Sequence, residues 1–142
     1  VGEFGQMLRS TDGGDSWQPV AGPVKSSLMS VHFRDAQHGV AVGLAGTVLV
    51  SADGGASWKE APQLTREHLN CVIWQPSGWV AVGDKGVRLV ADPDARTWKA
   101  GRISSKDLSW RTQIVRMADD FVLAGANLAL LHGDELRILG RD

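Results

Sequence analysis

Ser10-Thr11-Asp12-Gly13-Gly14-Asp15-Ser16-Trp17 returns as Ser51-Ala52-Asp53-Gly54-Gly55-Ala56-Ser57-Trp58. A worn copy follows at Ala91-Asp92-Pro93-Asp94-Ala95-Arg96-Thr97-Trp98, in which Pro93 stands for the aspartate and Ala95 for the glycine, leaving Thr97 and Trp98. The tryptophans step by 41 and 40 residues. A period near 40 marks a stacked or radial repeat, with one supersecondary unit per period. Other landmarks keep the same beat. Gly2, Gly43, Gly83 and Gly125 each close a short apolar run, and the first three are followed at i+3 by Gly5, Gly46 and Gly86. The fourth has Leu128 there, so the last repeat is degenerate. Val40-Ala-Val-Gly43 and Val80-Ala-Val-Gly83 match letter for letter.

Between these landmarks the apolar runs are short and bounded by Gly, Asp, Ser or Pro, which is the signature of strands. The best repeat reads as strand A at Leu28–Phe33, B at Gly39–Val42, C at Thr47–Ser51 and D at Ser57–Glu60. The next gives Leu69–Gln75, Trp79–Val82, Val87–Ala91 and Thr97–Lys99; the last gives Trp110–Met117, Phe121–Ala124, Leu128–His132 and Glu135–Leu139. A C-like strand at Gln6–Ser10 and a D-like strand at Ser16–Val20 precede them. Four antiparallel strands per period make the blade of a β-propeller. The fold expected is all-β, a propeller segment of about three and a half blades, with repeats near 1–24, 25–64, 65–105 and 106–142. Asp-Gly-Gly suits the hairpin turns, because glycine takes positive φ without a Cβ clash and the aspartate can accept from the turn's own amides.

Composition agrees. Glycine is 17 of 142 residues, and the excess sits at turns. The net charge of −1 gives no global pull toward nucleic acid or membrane. Its distribution is uneven: residues 85–118 hold eight Lys/Arg against three acids, a solvated outer face or a patch for an acidic partner. Cys71 is the single cysteine, so no internal disulfide forms, and its run Cys71-Val72-Ile73-Trp74 suits a buried small hydrophobe. No stretch approaches the ~18 apolar residues of a membrane-spanning helix, and no signal peptide is legible.

The pattern Ser-x-Asp-x-Gly-x-Ser/Thr-Trp resembles the Asp-box, or BNR repeat, carried here by Ser10, Asp12, Gly14, Ser16 and Trp17, by Ser51, Asp53, Gly55, Ser57 and Trp58, and in part by Thr97 and Trp98. Together with the Val-Gly-x-x-Gly turn and the strand Leu28, Val31, Phe33, Asp35, it is similar to the Ycf48/Hcf136 group, the photosystem II stability and assembly factors and their bacterial relatives. That resemblance implies a box between strands C and D, on the face away from the usual binding surface. It also implies a non-catalytic scaffold that docks a protein partner, a membrane protein or an acidic surface, on the extracytoplasmic side. Contacts would come from the B–C and D–A loops. Arg66, Lys85, Arg102 and Lys106 lie in or near those loops.

Other chemistries find little footing. A sialidase would need a tyrosine nucleophile, and the chain has no tyrosine. Asp84, in a B–C turn, is the best single acid for an inverting glycosidase, but no partner carboxylate is identifiable. His32, His38, His68 and His132 lack ligand spacing. Asp92-x-Asp94 lacks the later ligands of a calcium loop. The Gly-x-x-Gly turns lead into strands, so they are not phosphate cradles. Trp98 and Trp110 fall in the basic run, but Trp98 belongs to a box, and nucleic-acid binding is not expected. Neither a cofactor nor a metal is expected, and the protein is read as no enzyme.

A propeller closes with four to eight blades. Three and a half leave two raw sheet edges, which invite pairing. Val1 opens on C and D strands without a methionine, so the chain reads as cut at its start, and Gly133-Asp134-Glu135 in place of a box reads as a natural last blade. The expectations are a longer parent chain, or a homo-oligomer in which two copies make roughly seven blades. The alternative is a fragment of a carbohydrate-active Asp-box propeller, a glycoside hydrolase or lectin, whose site lies outside these residues.

Overall fold

The computed structural model describes residues 1–140; Arg141 and Asp142, the end of the last repeat, lie outside them. Among the described residues fourteen strands form one two-stranded and three four-stranded sheets. The first sheet pairs β1 (Leu8–Arg9) with β2 (Gln18–Pro19). The second runs β3 (Leu28–Phe33), β4 (Gly39–Gly43), β5 (Val48–Ser51) and β6 (Lys59–Glu60). The third runs β7 (Leu69–Gln75), β8 (Gly78–Gly83), β9 (Val87–Ala91) and β10 (Trp98–Arg102). The fourth runs β11 (Arg111–Met117), β12 (Asp120–Gly125), β13 (Ala129–His132) and β14 (Glu135–Ile138). Each is an antiparallel meander in chain order. Among the described residues no helix is long and apolar enough to cross a membrane.

The sheets stack through their first strands: β7 packs on β3 and β4, and β11 on β7 and β8. Both faces of the second strands β4 and β8 are buried, which is why Val-Ala-Val-Gly reads as a continuous apolar run. The period-2 alternation assigns each side chain to one interface. On β4, Val40 and Val42 join Leu69, Val72 and Trp79 in the core toward the next sheet. Ala41 faces the other way, with Met7, Leu28, Leu49 and Trp58. On β8 the same logic sends Val80 and Val82 toward Ile114, Leu123 and Leu131, with Cys71 buried among them.

A bulge recurs at the start of the first strand of each four-stranded sheet, at Leu28/Ser30, Leu69/Cys71 and Arg111/Gln113. It sits opposite Gly43, Gly83 and Gly125. A Cβ on those glycines would lie 2.1, 1.8 and 2.2 Å from the carbonyl oxygens of Ser27, His68 and Trp110. The glycine that closes each apolar run is thus required by close approach of backbone.

The arc ends raw on both sides. At one end Met29, Val31 and Phe33 of β3 stay exposed, and a cavity of about 330 Å³ opens between Val31 and Phe33 and Leu8, Trp17 and Trp58. At the other end Val115 and Met117 of β11 are exposed. The box between β1 and β2 marks them as the outer, C and D, strands of their blade. Two copies would therefore bring two outer pairs and no inner pair. They sum to six full blades and two halves.

Candidate partner-binding face

Antiparallel meandering puts every A–B turn and every C–D box at one end of the strands, and every B–C turn and D–A loop at the other. The box end is built for stability. In the first box the Ser10 hydroxyl donates to Asp12 Oδ1 (2.7 Å) and accepts from the Gly14 N–H (2.8 Å). Asp12 in turn accepts from the Ser16 N–H (3.0 Å) and hydroxyl (2.6 Å), and Trp17 Nε1 donates to the Gly14 carbonyl (3.0 Å). Ser51, Asp53, Gly55, Ser57 and Trp58 repeat every one of these bonds. The hydroxyl and amide of Ser57, then the Ser51 hydroxyl, hold the Asp53 carboxyl down to about 2. Those of Ser16 and Ser10 depress Asp12 in the same way.

The third copy is less worn than its letters. Asp92, one residue ahead of the consensus position, accepts from the amides of Asp94 (2.9 Å), Arg96 (3.4 Å) and Thr97. Burial raises its carboxyl, but the Thr97, Arg96 and Asp94 amides prevail and lower it. Ala95 takes the left-handed conformation of the box glycine (φ 55°), and Trp98 Nε1 donates to its carbonyl (3.0 Å). More than Thr97 and Trp98 therefore survives, and the signal was an aspartate displaced by one. The Pro93 carbonyl also accepts from Trp79 Nε1 (3.1 Å) and from Arg34 of the preceding blade, which reaches Asp94 at 3.2 Å. Asp94 is thus engaged by an arginine rather than lining a calcium loop.

The opposite end carries the turns Glu3–Gly5, Leu44–Gly46 and Asp84–Gly86, each a single 3-10 turn. Their middle residues, Phe4, Ala45 and Lys85, all have positive φ (53°, 53° and 50°) and point outward. The D–A loops lie against these turns. His68 Nδ1 accepts from the Ala45 N–H (3.0 Å), and Gln63 Nε2 donates to the Ala45 carbonyl (2.6 Å).

Three of the residues singled out from sequence meet here. Lys85 Nζ is 3.3 Å from Glu67, and Arg102 Nη2 is 3.8 Å from the same carboxylate. Arg102 also donates to the Lys85 carbonyl. Arg66 adjoins Glu67 in the D–A loop and is exposed. Two cations share one carboxylate, with a third beside them. Lys106 stands apart in the next D–A loop, exposed, its N–H donating to Ser104 Oγ (3.2 Å). Asp84 accepts from Asn70 Nδ2 (3.1 Å), which donates also to the Arg111 carbonyl (3.0 Å).

Sequence reasoning missed Arg111. It is 1% exposed, pairs with Asp107 at 2.8 Å, and donates to Asn127 Oδ1 at 2.8 Å. It ties a D–A loop to a B–C turn from beneath the face, while its Nε has no partner. An arginine where Leu28 and Leu69 open the other inner strands was the available signal. Among the described residues no group of three or more His, Cys, Asp or Glu side chains converges as a metal site.

Comparison with known proteins fits this geometry. The structure of YCF48 bound to D1 peptide superposes with a TM-score of 0.73 at 18% identity, over 95% of this chain and 48% of that one. YCF48 from Cyanidioschyzon merolae gives 0.74 at 19% identity, over 89% of this chain and 41% of that one. The chain thus spans about half the length of the structures it matches, and the likeness shows the fold, a propeller segment. No curated protein matches it. Residues 9–119 match the family described as photosynthesis system II assembly factor YCF48. The chain belongs to that family.

Proposed function

We propose that this chain is part of a non-catalytic assembly scaffold that holds a protein partner, with its B–C and D–A loops as the working face. The observation that carries the reading is the cluster at Glu67, where Lys85 and Arg102 share one carboxylate and Arg66 stands beside them. Excess positive charge on exposed side chains of a rigid scaffold steers an acidic partner and fixes its register. The likeness to a YCF48 bound to D1 peptide supports a peptide segment of a membrane protein as the ligand class. The extracytoplasmic placement that the family resemblance implies is part of the proposal. Self-association belongs to it in one form only. The exposed ends at Val31 and Phe33 and at Val115 and Met117 meet end to end.

The test is fluorescence anisotropy with labelled peptides of matched length and graded net charge. Affinity rises with negative charge, and the double variant Lys85→Glu, Arg102→Glu weakens binding by about tenfold or more. A glycan screen runs beside it. Sugar binding without peptide binding supports the carbohydrate-active alternative and refutes the scaffold.

A further inference from the structure

The two ends of the strands differ in more than charge. The A–B turns and boxes hold eight aspartates, from Asp12 to Asp134, against Arg34 and Arg96. Of the exposed large hydrophobics, Trp17 alone lies in one of those turns among the described residues. The opposite end carries five: Phe4 (77% exposed), Leu64, Leu108, Trp110 and Leu128. Exposed Lys25, Arg66, Lys85, Arg102 and Lys106 are interleaved with them.

Phe4 is the most telling. It occupies the left-handed middle position of its turn, where Ala45 and Lys85 stand in the other repeats. A bulky side chain is disfavoured in that conformation, and packing makes no use of the ring. These apolar groups stand on loop tips. The larger hollows of the arc, of about 320 to 340 Å³, lie elsewhere, against Val1, Leu8 and Trp17 or beside the second and third boxes. Protruding aromatic and aliphatic tips among cations suit a soft anionic interface better than a concave ligand site. An acidic far side turns the molecule the same way up, since it is repelled from such a surface.

We infer that the B–C and D–A face seats on an anionic lipid surface, with Phe4, Leu108 and Trp110 entering the headgroup region and Lys85 and Lys106 lying over lipid phosphates. This shares with the proposed function the choice of face and nothing else. A scaffold for a membrane protein would then meet its partner at the bilayer plane.

The experiment is sedimentation of the chain with vesicles of phosphatidylcholine alone, or with about 30 mol % phosphatidylglycerol. Binding to the anionic vesicles is expected to exceed binding to neutral ones by about tenfold at low salt and to fall at high salt. Phe4→Ser with Trp110→Ser, and separately Lys85→Glu with Lys106→Glu, should abolish the excess with cooperative denaturant unfolding retained. Lys59→Glu with Lys99→Glu makes the same charge change on outer strands and should leave it. Absence of sedimentation, equal binding to neutral vesicles, or equal loss in the Lys59/Lys99 variant would overturn the inference. Peptide binding without vesicle binding would do so too, while leaving the proposed function standing.

Discussion

The first box matches its motif letter for letter and the third hardly matches it, yet Trp17 is 56% exposed and Trp98 is 9% exposed. Both tryptophans donate to the carbonyl three residues back, and both turns are held by one aspartate. Turn chemistry and burial are therefore separate. The hydrogen bonds are local and form wherever an aspartate reaches the turn amides. Burial depends on neighbouring strands: Trp58 and Trp98 sit at the last strand of four-stranded sheets, whereas Trp17 sits at the last strand of a two-stranded one. Fidelity to the motif reports the turn, and the number of strands reports the core.

Tryptophan truncation should sharpen that contrast most. Trp58→Ala and Trp98→Ala are each expected to cost about 3 kcal/mol or more in denaturant unfolding, as buried aromatics do. Trp17→Ala should cost about 1 kcal/mol, its ring being half in water already. Equal losses at all three would break the comparison. Arg111→Ala should cost about 3 kcal/mol, because it strands Asp107 beneath the loop face. Hydrogen exchange should then rise in residues 103–110 and 126–128 ahead of the boxes.

The acids of the boxes give a smaller, pH-dependent effect. The folded-state carboxyl of Asp53 lies near 2, below its unfolded value of ~3.9. Its contribution is present above about pH 4 and lost as pH falls through about 2. Asp53→Asn should flatten the acid limb of the melting temperature in that window. Asp92→Asn should do the same if the displaced aspartate replaces the consensus one, and no change there would return the third box to a mere remnant. The smallest effect is expected at His132, whose imidazole is raised by its hydrogen bond to Asp120 and then by that carboxylate's charge. Here the sign reverses. The contribution is full below about pH 6.5 and lost as pH rises through the folded value, so His132→Gln should flatten only the neutral to alkaline side.

Much of the fold was legible because the signals are local. Leu28–Phe33, Leu69–Gln75 and Val87–Ala91 are strands with the bounds their apolar runs suggest. The outer strands moved. Ser57–Glu60 shortens to Lys59–Glu60, since Ser57 and Trp58 serve the box. Thr97–Lys99 lengthens to Trp98–Arg102, since Arg102 pairs with Val87 across the sheet. The face was legible only as a set of loop cations. That Glu67 gathers Lys85 and Arg102 depends on how a D–A loop lies against a turn some twenty residues away, which no periodicity encodes. Asp92 was hidden by an offset of one, and Arg111 by burial, which is rare for an arginine.

Hydrogen exchange of the chain with and without an acidic peptide that it binds tests the central claim most directly. Protection is predicted in residues 61–68, 84–86 and 103–110, with the boxes at 52–57 and 92–97 unchanged. Protection centred on the boxes, with those loops unaffected, would contradict it.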